Sequence, residues 1–149
     1  MLHLATDASY DSPICSCGYV LTRSTGGSEK LVETGSRVLN TEADNRDIDW
    51  CSGRAEYRAL ITGVRAALDY TDEVLLCYSD NDGVVRAIQR GGRLFESYFQ
   101  HALFSFLPRF ADWHITNVDR ERNETAHKQA RVGLNVARRL LDNNSLQHA

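Results

Sequence analysis

A chain of 149 residues, 42% hydrophobic and 25% charged, has the length and balance of one globular domain with a core to bury. A net charge of −3 excludes a surface that attracts polyanions everywhere, so any nucleic acid must be met by local cations or by bound divalent metal. No apolar run approaches the roughly 18 residues of a membrane span, and Met1 to Asp7 lacks the basic and apolar regions of a signal peptide, so the expectation is a cytoplasmic protein with no membrane partner.

Leu2 to Ala8 alternates and predicts a first strand, with Asp7 on or just past its middle. Tyr10 to Pro13 is a turn signal, Ile14 to Arg23 a second strand, and Ser24-Thr-Gly-Gly-Ser28 a hairpin loop whose glycines supply positive φ. Leu31 to Leu39 completes an antiparallel meander. Cys15 and Cys17 share one strand face, and Cys77 sits in an apolar run. Cys77 and one of the pair are expected to be buried thiols rather than disulfide partners. Asn40 to Ser52 is a polar, acid-rich loop containing Asp44, Asp47, Asp49 and Cys51.

Arg54 to Leu68 is the most periodic stretch, rich in helix formers. Glu56, Leu60, Gly63 and Ala67 fall on one face, which should pack inward with Glu56 in the first turn. A buried-side carboxylate has two explanations: an acid favoured by the helix dipole, or a metal ligand. Glu73 to Tyr78 is a continuous apolar run, the mark of a strand covered on both faces. It ends in Ser79-Asp80-Asn81-Asp82-Gly83, a strand-to-helix turn with Asp82 as the expected cap. A short helix, Val84 to Arg90, stops at Gly91-Gly92, and Arg86, Arg90 and Arg93 read as its solvated face. Leu94 to Leu107 is a further helix ended by Pro108, and its aromatic stripe is mostly core with room for a homodimer contact. Trp113 to Val118 is a fifth strand. Asn123 caps a last helix from Glu124 to Leu141, along which His127, Ala130, Leu134, Ala137 and Leu141 form an inward stripe.

The order, a meander followed by alternating strands and helices, predicts an α/β domain over residues 1–141 with helices on the faces of one mixed sheet. Residues 142–149 form a polar tail. If the first and fourth strands pair in parallel, Asp7 and Asp80 lie together at the carboxyl ends, where reactive sites of such sheets gather. Glu56 and His127 then enter from the packing helices. Clustered acids repel one another unless a cation sits between them, and oxygen-rich clusters suit Mg2+ or Mn2+.

Thr6-Asp7-Ala8-Ser9, Arg54-Ala-Glu56-Tyr-Arg-Ala-Leu-Ile61, Tyr78-Ser-Asp80 and Arg120-Glu-Arg-Asn123-Glu-Thr-Ala-His127 resemble the four signature blocks of type 1 ribonuclease H, in the family's order. The resemblance implies a ribonuclease H-like fold: a five-stranded mixed sheet whose first three strands are antiparallel. It also implies two-metal hydrolysis of the RNA strand of RNA–DNA hybrids, leaving a 5′-phosphate and a 3′-hydroxyl. Asp7, Glu56, Asp80 and His127 would be the catalytic, metal-holding residues, with two Mg2+ or Mn2+ ions. Ser9, Ser52, Gly53 and Asn81 would contact the hybrid, and the protein would act as a monomer or weak homodimer.

The chain departs from that pattern in several places, among them Asn81-Asp82, which brings an acid near the expected path of a phosphate backbone. His127 stands where the family usually has Asp, which lowers the negative charge and favours Mn2+ over Mg2+ if the imidazole ligates; its plain alternative is a structural bond to a neighbour. Ser52 and Gly53 replace the two family asparagines, and the loop Asp119-Arg-Glu-Arg122 is short and lacks the family's mobile His. These departures keep a second reading open, a catalytically weak or inactive nucleic-acid-binding module on the same fold.

Overall fold

Three long strands come first, because alternating apolar residues are joined by turns the backbone can make at no steric cost. β1 (Leu2–Asp11), β2 (Ile14–Thr25) and β3 (Ser28–Leu39) form an antiparallel meander. Thr25 pairs with Ser28, and both intervening glycines have positive φ, 56° at Gly26 and 83° at Gly27, as a two-residue hairpin requires. The computed structural model describes residues 1–11, 14–39, 52–91 and 97–147, with side chains at all of these except 52, 97–99, 141 and 143–147. The acid-rich stretch 40–51, including Cys51, and the expected contributions of Phe95 and Arg93 lie outside the described residues.

β4 (Val74–Ser79) pairs in parallel with β1, and β5 (Asp112–Asn117) in parallel with β4, giving the order β3-β2-β1-β4-β5. This is the mixed five-stranded sheet expected from the sequence. Side chains alternate across it. On one face Leu2, Leu4, Leu21, Leu75, Cys77 and Ile115 are buried against α1 (Ser52–Ala66), α2 (Asp82–Gln89) and α3 (Ser97–Phe106). Leu60, Val64, Val85, Ile88 and Leu103 answer them from those helices. Each such large apolar side chain, taken wholly out of water, contributes about 1.5–3 kcal/mol. The other face carries α4 (Glu124–Gln147), which crosses β2 so closely that a Cβ on Gly18 would stand 2.6 Å from the Ala126 carbonyl oxygen.

Several boundaries differ from the sequence reading. Tyr10 and Asp11 continue β1, paired with Cys15 and Ile14. Both thiols of the Cys15–Cys17 pair are buried and free, as is Cys77. The fourth strand is not covered on both faces: Leu76 and Tyr78 are half-buried, since α4 lies over β1, β2 and β3 rather than β4. An apolar run of six residues does not distinguish one covered face from two. α4 continues through Gln147 instead of ending at Leu141, so residues 142–147 are helical.

The contact of α4 with β2 predicts an asymmetry between glycines. Gly18→Ala drives a methyl into helix backbone and is expected to cost about 3 kcal/mol, the upper end of overpacking. Gly83→Ala in α2, where a Cβ meets only Asn81 Oδ1 at 3.5 Å, is expected to stabilise by about 0.5–1 kcal/mol. Urea unfolding midpoints at unchanged m-value check both.

Candidate metal centre

Strand register brings the first two acids together. Ala5 is opposite Tyr78 in the parallel β1–β4 pair, so Asp7 and Asp80, each two residues further on, come level at the carboxyl ends of their strands. Asp80 is held in a tight turn: the Asn81 N–H donates to Ser79 Oγ at 3.2 Å, and Asn81 Oδ1 accepts the Val84 N–H at 3.0 Å. Asn81 is therefore the cap of α2. Asp82, the expected cap, lies inside the helix and pairs with Arg86 at 3.0 Å. Glu56 arrives from α1, where its Oε1 accepts the Ala8 N–H at 3.3 Å. It sits one turn into the helix rather than in the first turn, because Ser52 and Gly53 are helical, so the helix dipole does not account for it.

Asp7, Glu56 and Asp80 each place a carboxylate oxygen so that all lie within 4.8 Å of one another. Asp7 is 3% exposed and Glu56 8%. Glu56 Oε2 is buried with no hydrogen-bond partner among the described residues. The Glu56 carboxyl is held far above the usual range, by burial first and then by Asp7 and Asp80, with the Ala8 N–H opposing. Asp80 is raised as well, by burial and then by Asp7, while Arg120 and His127 pull the other way. A buried acceptor without a donor, inside acids that raise one another, is a centre short of positive charge. Its donor set is oxygen only. These residues fit a hard divalent cation such as Mg2+ or Mn2+.

His127 approaches from the first turns of α4, and its Nδ1–H donates to Asp7 Oδ2 at 2.6 Å. It reaches the cluster through Asp7 and is not among the groups that converge within 4.8 Å. The bond to a neighbour, one of its two expected roles, is thus present. Ala130, Leu134 and Ala137 follow it as the buried stripe. Asn123 precedes α4 as expected, but its amide nitrogen donates to the Thr6 carbonyl at 2.7 Å instead of its oxygen capping the helix.

A cleft of about 480 Å3 opens over the acids and is also bordered by Asn81, Arg120 and His127. Of the expected substrate contacts, Asn81 borders it; Ser9 lies two residues beyond Asp7 on β1 and Gly53 in the first turn of α1, both half-buried. Ser52 is in that same turn, with its side chain outside the described residues. Sequence reasoning missed Arg120, the cation at the rim of this acidic cleft. The signal available was its place in the short loop after β5, where the Val118 N–H ties the strand's end to β4 by donating to the Ser79 carbonyl at 2.9 Å. A second hollow of about 430 Å3 lies on the open sheet face. Its rings serve one another: His3 stacks on Tyr78 and bonds both the Tyr78 hydroxyl and Ser24 Oγ at 2.9 Å, so the acid-lined cleft is the candidate site.

A family model described as reverse transcriptase-like matches residues 34–133. Among solved structures the chain is similar to ribonuclease H1 from the halophilic archaeon Halobacterium salinarum, at 24% identity and TM-score 0.74, over 90% of this chain and 97% of that one. It is similar to the N-terminal ribonuclease H domain of a Mycobacterium tuberculosis protein, at 16% identity and TM-score 0.76, covering 94% and 97%. LC11-RNase H1, from compost, solved in complex with an RNA/DNA hybrid, matches at 16% identity and TM-score 0.71, covering 92% and 99%. No curated protein matches the sequence. At these identities the structural likeness speaks to the fold, and the site must be judged on its own geometry.

The raised Glu56 carboxyl has a consequence for metal-free protein. A group that holds its proton more tightly when folded stabilises fully below its unfolded value, about 4.3, and loses that contribution as pH rises toward the folded value. Metal-free protein is therefore expected to lose stability from about pH 5 upward. Glu56→Gln should flatten this dependence, which thermal melts across pH in the presence of a chelator will check.

Proposed function

This chain belongs to the reverse transcriptase-like family, with the ribonuclease H fold, and from that premise we propose that it is a divalent-metal-dependent endoribonuclease acting on the RNA strand of RNA–DNA hybrids. The observation that carries the reading is the convergence of three carboxylates, two of them buried, around a carboxylate oxygen with no donor among the described residues. The hybrid bound by LC11-RNase H1, a structural neighbour, supports the choice of substrate.

Asp7, Glu56 and Asp80 supply the oxygens for Mg2+ or Mn2+. Two such ions, when bound, supply an activated water and neutralise charge at the phosphate and the leaving 3′-oxygen, consistent with 5′-phosphate and 3′-hydroxyl products. The protein's own groups prepare this. Burial keeps water from competing for Asp7 and Glu56, and the Ala8 N–H fixes the Glu56 carboxylate in place. His127 orients Asp7 through its Nδ1–H. Arg120 receives a phosphate of the cut strand at the rim of the cleft, which would otherwise repel a polyanion. Ser9, Ser52, Gly53 and Asn81, at the ends of β1, α1 and β4, are the proposed contacts to the hybrid backbone.

Cleavage of a hybrid by the folded protein with Mg2+ and with Mn2+ is the direct test. Asp7→Asn is expected to lower kcat by about 10^3-fold or more, since metal assistance is worth several kcal/mol. His127→Asp should raise the Mg2+ rate relative to the Mn2+ rate, and an unchanged ratio would exclude side chain 127 from metal preference. No cleavage with either ion, combined with metal-independent hybrid binding, would identify the non-catalytic module instead. Arg120→Ala should raise KM for hybrid by about 10- to 100-fold, the worth of one charge-assisted hydrogen bond, as steady-state kinetics will measure.

A further inference from the structure

We infer that Asn123 is a positioning residue for the acid centre: its buried amide clamps the strand carrying Asp7 to the helix carrying His127 and so sets the contact between them. Its catalytic consequence rests on the proposed function; the contact itself does not. Asn123 is 1% exposed and touches three parts of the site. Its Nδ2 donates to the carbonyl of Thr6, the residue before Asp7, at 2.7 Å, across 117 positions of chain. Its own carbonyl accepts the His127 N–H at 3.1 Å. Its backbone N–H donates to the Asp119 and Arg120 carbonyls at 3.3 and 3.2 Å, in the loop that bears the cleft's arginine.

Helix capping does not explain this residue. A capping Asn, Asp or Ser uses its side-chain oxygen to accept a first-turn N–H. Asn123 Oδ1 is instead buried with no partner among the described residues, an unfavourable state tolerated while the nitrogen bonds Thr6. A further side-chain bond from α4 to β1, between Arg138 and Asp11, is exposed and lies about three turns from His127, so it holds the far part of the helix rather than the part beside the acids. The helix rests on Gly18 through its backbone, and its own Gly133 lies over Ser16 and Ser36. Small residues permit close approach but give little against sliding or rotation of a helix. A directional bond from Asn123 to β1, one residue from Asp7, fixes both. With that bond, His127 Nδ1 meets Asp7 Oδ2 at 2.6 Å; without it, a displacement of about an ångström suffices to break a hydrogen bond of this length.

The test uses the full chain with Asn123→Ala and Asn123→Asp, the latter retaining a capping oxygen while losing the amide donor to Thr6. Measurements are made where circular dichroism shows each variant folded. In metal-free protein at one fixed pH, the His127 ring nitrogens should move from a bonded pattern toward that of His101, which is exposed. Mn2+ affinity by calorimetry should weaken about tenfold and kcat on hybrid fall tenfold or more, with KM within about twofold, as expected for a misplacement near an ångström. A merely structural Asn123 would lower the melting temperature and leave ring nitrogens, Mn2+ affinity and kcat at wild-type values in folded protein, which would overturn the inference. Wild-type protein provides a measurement independent of any variant: one Asn123 side-chain amide proton should exchange slowly with solvent, and rapid exchange would equally overturn it. Should wild type neither bind Mn2+ nor cut hybrid, the proposed function fails, while the His127 ring and amide-exchange results still decide the clamp.

Discussion

Mutual repulsion among three acids at the end of two parallel strands is the constraint from which the rest of the molecule follows. Two unit charges about 4.8 Å apart repel by about 3–4 kcal/mol at an effective dielectric near 20, a large part of the roughly 5–15 kcal/mol by which a domain is stable. The β1–β4 register and the docking of α1 nevertheless bring Asp7, Glu56 and Asp80 together. Such a cluster persists only if a proton or a cation answers the charge. In metal-free protein burial and the neighbouring acids hold the Glu56 carboxyl far above the usual range, and its Oε2, without a partner among the described residues, marks where positive charge is missing.

His127 alters this balance without removing it. Where the related pattern has a fourth acid, this chain has a donor that bonds Asp7 directly. The metal-free site is thereby easier to assemble, and three carboxylates are left as the groups that could hold a dication. The same economy shows in the loop before α4, where Arg120 supplies at the rim the positive charge that a net charge of −3 denies to the surface as a whole. Asn123 joins these parts, bonding β1, α4 and that loop at once.

The residues of the centre were legible in the sequence because acids stand out against apolar patterns: Asp7 in an alternating strand, Glu56 on an apolar helix face, Asp80 after an apolar run. The meander was legible because Gly26-Gly27, set between two alternating runs, supplies the positive φ that a two-residue hairpin needs. Three-dimensional pairings were less so. Asn81 and Asp82 are both good caps in adjacent positions, and only the turn at Ser79 decides for Asn81. The pattern of Glu73 to Tyr78 does not reveal that α4 leaves Tyr78 half open. Asn123 is a natural cap by type, and its use of nitrogen rather than oxygen depends on a strand 117 residues away. Local chemistry names the candidates; register and burial assign their roles.

Anomalous diffraction from crystals of the wild-type protein soaked in Mn2+ tests the central claim most directly. The account predicts anomalous peaks over the carboxyl ends of β1 and β4, with oxygens of Asp7, Glu56 and Asp80 at about 2.0–2.4 Å, the range of hard-cation ligation. Saturating Mn2+ that leaves these three carboxylates without metal would contradict it.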